Sequence, residues 1–188
     1  MQPITFSELN NQKFPVILAD PPWKYNFSKS KSRSIESHYP SMDISEICDM
    51  PVSQIAADSA ILFLWTTSPK LEESFSVIRS WGFQYKTVAF TWAKENQKTP
   101  GFFMGMGYYT RQNAEYCLLA TRGNVLPRKS KSVPQLIVAP RREHSRKPIE
   151  IYERIESLVD GPYLELFSRT TREKWTVWGN QTGTFEEN

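Results

Sequence analysis

Asp20, Pro21, Pro22 and Trp23 directly follow the apolar run "PVILA". An ionised Asp at a strand end is an acceptor on every lone pair. Proline has no N–H, so Pro21 and Pro22 add carbonyl oxygens without a competing donor, and their locked φ holds those oxygens fixed. Trp23 supplies a broad π face. The guest that suits such a set is a planar ring bearing an NH₂, with its two N–H donors on Asp20 and the Pro21 carbonyl and its face on Trp23. The exocyclic amine of adenine fits. Its lone pair is delocalised into the ring and is a poor nucleophile. Hydrogen bonds to both N–H groups favour a more tetrahedral nitrogen and stabilise the positive charge that develops as it attacks. The electrophile must be activated elsewhere, and a sulfonium methyl would serve. The plain structural alternative is a rigid turn followed by a core tryptophan.

Other chemistries find less support. His38 and His144 are isolated, and Cys48 and Cys117 lack metal-ligand spacing, so no metal centre is expected. The two cysteines read as reduced packing residues of a cytoplasmic protein. No glycine-rich phosphate loop supports a dinucleotide site. No basic stretch precedes an apolar core at the N-terminus, and the longest apolar runs are far too short to cross a bilayer. The net charge of +3 is unevenly spread. Lys24, Lys29, Lys31 and Arg33 stand without an acid, and the stretch 122–147 carries eight Lys or Arg against Glu143 alone. Both stretches are rich in Ser and Pro. They are either solvated loops or arms that hold phosphates, each cation releasing a counterion on contact.

These residues need a frame, and 188 residues suffice for one domain with a real core, spanning 1–188. The punctuation is that of an alternating α/β chain. "PVILA", "SAILFLWTT", "QYKTVAFTWAK", "AEYCLLATRG" and "QLIVAP" have strand character. "MDISEICDM" and "VSQIA" predict short helices, with Ser41 or Asp43 as N-cap. Leu71, Phe75, Ile78 and Trp81 fall at helical spacing between the start signal Ser68-Pro69 and the stop signal Gly82. Pro148, Ile151, Ile155 and Leu158 mark the clearest helix. "PYLELFSR" and "KWTVWGN" close the chain as two strands, expected as an antiparallel edge hairpin. Helices must cover both faces of such a sheet. Ligands of open α/β sheets bind outside the carboxyl ends of the strands. Asp20–Trp23, Ser68-Pro69 and Ser168-Arg169 all fall there.

The tetrapeptide "DPPW" resembles motif IV of the S-adenosylmethionine-dependent amino-methyltransferases. The segments "HYPSM", "ILFLWTT", "WGFQYKTVAFTWAK", "GYYTRQNAEYCLLATRGN", "HSRKPIEIYERIE", "LELFSR" and "WTVWGNQ" are similar, in order and spacing, to the MT-A70 family of N(6)-adenine methyltransferases, typified by the catalytic subunit of the eukaryotic mRNA adenosine methyltransferase. The resemblance covers nearly the whole chain. It implies a Rossmann-like class I methyltransferase sheet in permuted (beta-class) order, the catalytic half first and much of the cofactor half last. It implies S-adenosyl-L-methionine as cofactor.

Carried over residue by residue, the resemblance assigns Asp20, Pro21, Pro22 and Trp23 to the target amine. Asp20 would also approach the methionine amine of the cofactor, and Lys147 its carboxylate. Phe167 and Arg169 would line the adenosine part, Asn180 and Gln181 would bond the ribose hydroxyls, and Ile4 would pack on the adenine. Tyr39 and Glu115 would contact a flipped base. Lys24, Lys29, Lys31, Arg33, Tyr109 and Arg111 would meet the nucleic acid. Family members often carry His-Asn after the arginine; this chain has Thr171-Arg172, and Arg172 would bring its own charge to the carboxylate pocket.

The expected activity is methylation of adenine in nucleic acid, with DNA favoured over RNA. A base inside a duplex is out of reach, so the target must be flipped out or single-stranded. The competing reading of another class is a non-catalytic nucleic-acid-binding subunit of a paired complex. Members of that kind usually have a degraded tetrapeptide, whereas "DPPW" and "GNQ" are intact here. A homodimer or a paired homologous subunit is the expected assembly.

Overall fold

The computed structural model describes residues 6–9, 11–25, 41–142 and 146–179. Ile4, Lys29, Lys31, Arg33, His38, Tyr39, His144, Asn180 and Gln181 lie outside them. In chain order the elements are α1 (Phe6–Leu9), β1 (Phe14–Ala19), α2 (Ile44–Asp49), α3 (Val52–Ile55), β2 (Ala56–Thr66), α4 (Leu71–Ser80), β3 (Gln84–Glu95), β4 (Ala114–Arg122), β5 (Leu136–Pro140), α5 (Glu150–Leu158), β6 (Tyr163–Leu166) and β7 (Trp175–Trp178).

The seven strands form one sheet in the order β5-β3-β4-β2-β1-β6-β7. β1 lies parallel between β2, the next strand in the chain, and β6, a strand from near its end. β4 alone runs against the rest, antiparallel to both β2 and β3. Side chains alternate across the sheet, as the period of two requires. Ile17, Ala19, Leu62, Leu64, Leu118 and Leu166 pack on one face against Ile47, Val52, Val77, Ile78 and Trp81 of the helical layer. Val16, Leu18, Phe63, Trp65, Phe90 and Cys117 pack on the other against Ile151, Tyr152 and Ile155 of α5. Both faces are thus covered, which is why the central strands read as continuous apolar runs.

Local signals account for the element ends. Asp43 caps α2, and Glu46 Oε2 accepts its backbone N–H at 2.7 Å, half of a capping box. Trp81 terminates α4, buried, with its indole N–H on the Ile47 carbonyl at 2.8 Å, so it ties α4 to α2. Gly82 follows at φ +80°, a left-handed position that closes the helix and that glycine adopts without a Cβ clash. Cys117 is buried and Cys48 partly so; both are free thiols packed in the core.

The last two strands depart from the expected hairpin. β7 pairs parallel to β6, with Tyr163 opposite Trp175 and Leu166 opposite Trp178. A short link is the signature of an antiparallel pair, since parallel neighbours usually need a crossover of a dozen or more residues. Here residues 167–174 suffice because the chain turns sharply at both ends of the link, at Phe167 (φ 64°) and Lys174 (φ 67°). Both are left-handed, which non-glycine residues seldom adopt.

Candidate active site

Asp20 sits at the carboxyl end of β1, in the middle of the sheet, where its backbone N–H reaches the Leu166 carbonyl of β6 at 3.5 Å. The prolines then turn the chain out of the sheet. The Pro21 carbonyl accepts the Trp23 N–H at 2.8 Å, and the Pro22 carbonyl accepts the Met42 N–H at 2.9 Å. Each carbonyl has a second lone pair, so both keep acceptor capacity. Tyr25 Oη meets Thr67 Oγ1 at 2.6 Å, fastening the turn to the end of β2.

Trp23 does not offer the open stacking face expected of it. Its ring is only 5% exposed and belongs to the core beneath α2–α4. Its indole N–H donates to the Trp65 carbonyl at 3.2 Å. An indole gains more from burial with a satisfied N–H than from lying against solvent. Trp23 therefore anchors the turn that presents Asp20 and the prolines.

Asp20 is held by Lys147, which comes from the loop ahead of α5. Lys147 Nζ lies 2.7 Å from Asp20 Oδ1 and 2.6 Å from Oδ2. The same ammonium stands 3.3 Å from Glu115 Oε2 at the start of β4, and Lys94 from the end of β3 bonds the other Glu115 oxygen. Burial alone would raise the Glu115 carboxyl, but Lys147 and Lys94 outweigh it and hold the group below its ordinary range. Four charges from four segments thus form one alternating chain across the strand ends. The rings of Trp65 and Trp92 flank it, with Lys147 Nζ 5.6 Å from the first and Lys94 Nζ 5.0 Å from the second. Cys117, beneath the chain, has its thiol raised well above the ordinary range by burial and by the Asp20 charge, so it is inert.

A cleft of about 550 Å³, counting its solvent-open part, runs from Asp20 and Lys147 to Phe167. Its far wall is built on Glu165 of β6. Tyr152 Oη donates to Glu165 Oε1 at 2.9 Å, and Ser168 Oγ lies 2.9 Å from Oε2. Burial pushes the Glu165 carboxyl up to about 7, against the lowering effect of these two bonds. The Arg172 guanidinium lies 3.7 Å over the Tyr152 ring. Phe167 stands edge-on to Trp178, and Trp178 in turn meets Phe6 of α1. Arg142, Arg146, Arg169 and Arg172 complete the rim.

The structure brings Asp20, Lys147, Phe167, Arg169 and Arg172 to this cleft, and joins Glu115 to it through Lys147. Lys24 stands apart, paired with Asp43 at 3.2 Å on the surface. Tyr109 and Arg111 lie in the projecting β3–β4 connection. There Arg111 donates to the carbonyls of Met104 and Gly105, each at 2.8 Å, and so shapes the loop itself. Three contributors were assigned no role from the sequence: Lys94, Tyr152 and Glu165. Glu165 alone had a signal, a carboxylate amid the apolar strand "YLELF".

The donor set fits a zwitterion with an aromatic appendage. Lys147 and the arginines suit a carboxylate, Asp20 suits an ammonium, and Phe167 offers an apolar surface. That matches S-adenosyl-L-methionine.

The comparisons agree with this chemistry. The chain is 35% identical to the type II methyltransferase M.MunI of Mycoplasma sp, over 93% of this chain and 80% of that one. It is 32% identical to the human N(6)-adenosine-methyltransferase catalytic subunit METTL3, over 90% of this chain but 28% of that protein. A Drosophila melanogaster N(6)-adenosine-methyltransferase MT-A70-like protein is 31% identical over 90% of this chain and 27% of its own. The family model MT-A70 matches residues 14–181, from the first residue of β1 to just beyond β7, and the chain belongs to the MT-A70 family.

Proposed function

We propose that the protein is an S-adenosyl-L-methionine-dependent N(6)-adenine methyltransferase acting on nucleic acid, with DNA as the preferred substrate. The observation that carries this reading is Asp20, which opens the Asp-Pro-Pro turn at the end of β1 and lies in one cleft with Lys147. The preference for DNA is supported by the likeness to M.MunI, which extends over most of both chains, whereas the likeness to the adenosine methyltransferases spans about a quarter of theirs.

When bound, the cofactor supplies an electrophilic methyl group on a sulfonium. Lys147 and the rim arginines would take its carboxylate, and Phe167 and Arg169 its adenosine part. Asp20 and the Pro21 carbonyl would accept the two N–H bonds of the target amine, aim its nitrogen, and stabilise the charge that develops there. In the structure Lys147 occupies both Asp20 oxygens. Lys147 would turn part of its ammonium from Asp20 to the cofactor carboxylate, which would leave an Asp20 oxygen for the amine.

The test is transfer of labelled methyl from S-adenosyl-L-methionine to adenine-containing DNA and to RNA of the same sequence. DNA is expected to accept more. Asp20→Asn keeps the shape but removes the charge and turns an acceptor into a donor; a loss of about 100-fold or more is expected. Equal transfer by the variant would refute the role of Asp20.

A further inference from the structure

We infer that the β3–β4 connection carries a preformed wedge, residues 104–111, that enters double-stranded nucleic acid beside the target and fills the gap left by the extruded base. This rests on the methyltransferase reading and adds a second contact with the same substrate.

The segment is large, apolar and uncovered. Met106 is 80% exposed, and Tyr108 and Tyr109 are each 92% exposed with their rings 5.1 Å apart. Scattered apolar residues on a surface are ordinary, but a contiguous projecting set marks an interaction site.

It is also rigidly built. Gly105 and Gln112 form an antiparallel bridge, and Arg111 clamps the carbonyls of Met104 and Gly105. A Cβ at Gly107 would lie 2.0 Å from the Thr110 carbonyl oxygen, so the tip closes as tightly as a backbone can. A wedge fixed in advance loses little entropy on insertion.

Its base is tied to the catalytic residues. The Phe103 N–H donates to the Lys94 carbonyl at 2.8 Å, and the Lys94 ammonium holds Glu115, which shares Lys147 with Asp20. Gln112 Nε2 reaches Ser68 Oγ at 3.3 Å, after β2. The Arg141 guanidinium stacks 3.5 Å over the Phe103 ring. The tip and the carboxylate therefore belong to one frame and face the same edge of the sheet.

Charge selects the occupant. Residues 96–113 contain Lys98 and Arg111 and no acid, and Arg141 and Arg142 adjoin. Two copies meeting through this tip would oppose like charges, whereas phosphates supply the missing sign. Apolar and aromatic wedges enter a base stack without reading its sequence, and extrusion of a base leaves such a gap.

The experiment compares wild type with Met106→Ser/Tyr108→Ala on native and heat-denatured adenine-rich DNA, scoring labelled methyl transfer. Because both side chains are exposed, the variant should keep the wild-type melting temperature. The expected result is at least a tenfold loss on native DNA and less than a twofold change on denatured DNA. Equal losses on both, or none, overturn the inference. So does a variant that loses a sedimenting dimer while its transfer to native DNA is unchanged, since the tip would then be a self-contact. In parallel, wild type is photo-crosslinked to a 5-iododeoxyuridine duplex, with crosslinks expected at Tyr108 or Tyr109. If wild type methylates neither form of DNA, the methyltransferase reading fails, and the position of the crosslinks still decides for or against the wedge.

Discussion

The Ser168 hydroxyl carries one proton, yet its oxygen stands 2.9 Å from Glu165 Oε2 and 2.7 Å from the Thr170 carbonyl oxygen. One of these bonds needs a proton on Glu165, which agrees with a carboxyl raised by burial to about 7. The folded state then keeps a proton that the unfolded chain has lost above an ordinary value near 4.5. Stability accordingly falls as pH rises from about 4.5 to about 7, by roughly 3 kcal/mol, and is level beyond. Glu165→Gln removes this dependence, so melting curves of the variant should gain on wild type between pH 5 and pH 8. Glu115 has the opposite sign. Its depressed carboxyl contributes stability above the ordinary range, lost as pH falls through the lowered value. Lys147→Met strips the shared cation from Asp20 and Glu115, and a loss of about 3 kcal/mol at pH 7 is expected by denaturant unfolding. Asp20 drew attention by its own chemistry and Lys147 only through the resemblance; that the two pair with each other was not legible in the sequence. Lys94 and Tyr152 were not legible, and Glu165 showed only as a carboxylate amid an apolar run, since a lone Lys, Tyr or Glu acquires a role only when strand pairing and the docking of α5 give it a neighbour.

The link between β6 and β7 shows how backbone conformation overrides a pattern read from length. The strands themselves were visible from composition; their mutual direction was not, because it turns on φ at Phe167 and Lys174. Lys174 is exposed and pairs only loosely with Glu156, at 3.4 Å, a surface contact of little consequence. Lys174→Gly should relieve the left-handed strain and stabilise the protein by about 0.5–1 kcal/mol, raising Tm by roughly 2–3 °C. Lys174→Ala loses the same ion pair without relieving the strain, and no rise is expected. The helices were more legible, since Asp43, Gly82 and the spacing of Leu71, Phe75, Ile78 and Trp81 act within a few residues of where they stand. Trp23 shows the limit of that reading. The same residue suits a stacking plate or a core anchor, and only the packing beneath α2–α4, with the Trp65 carbonyl in reach of the indole N–H, selects the second.

At the scale of the molecule, the cleft joins β1 at the start of the chain to β6 and the loop beyond it near the end. Any ligand spanning Asp20 and Phe167 therefore cross-braces both halves of the sheet. S-adenosyl-L-methionine at a hundred times its Kd should add about 2.7 kcal/mol to the unfolding free energy and raise Tm by about 5–10 °C. A non-catalytic subunit would show no shift. The resemblance implied the class of sheet, but the strand order itself was not legible, because periodicity ranks faces and not neighbours. The reversed strand has a consequence of its own. Because β4 runs backwards, its start, with Glu115 as the second residue, lies at the edge where the other strands end. The connection ahead of it is flanked on both sides by paired strands, so its length can change without disturbing their register. That makes residues 96–113 an exchangeable cartridge: relatives could diversify how they grip their substrate there while the transfer chemistry stays untouched.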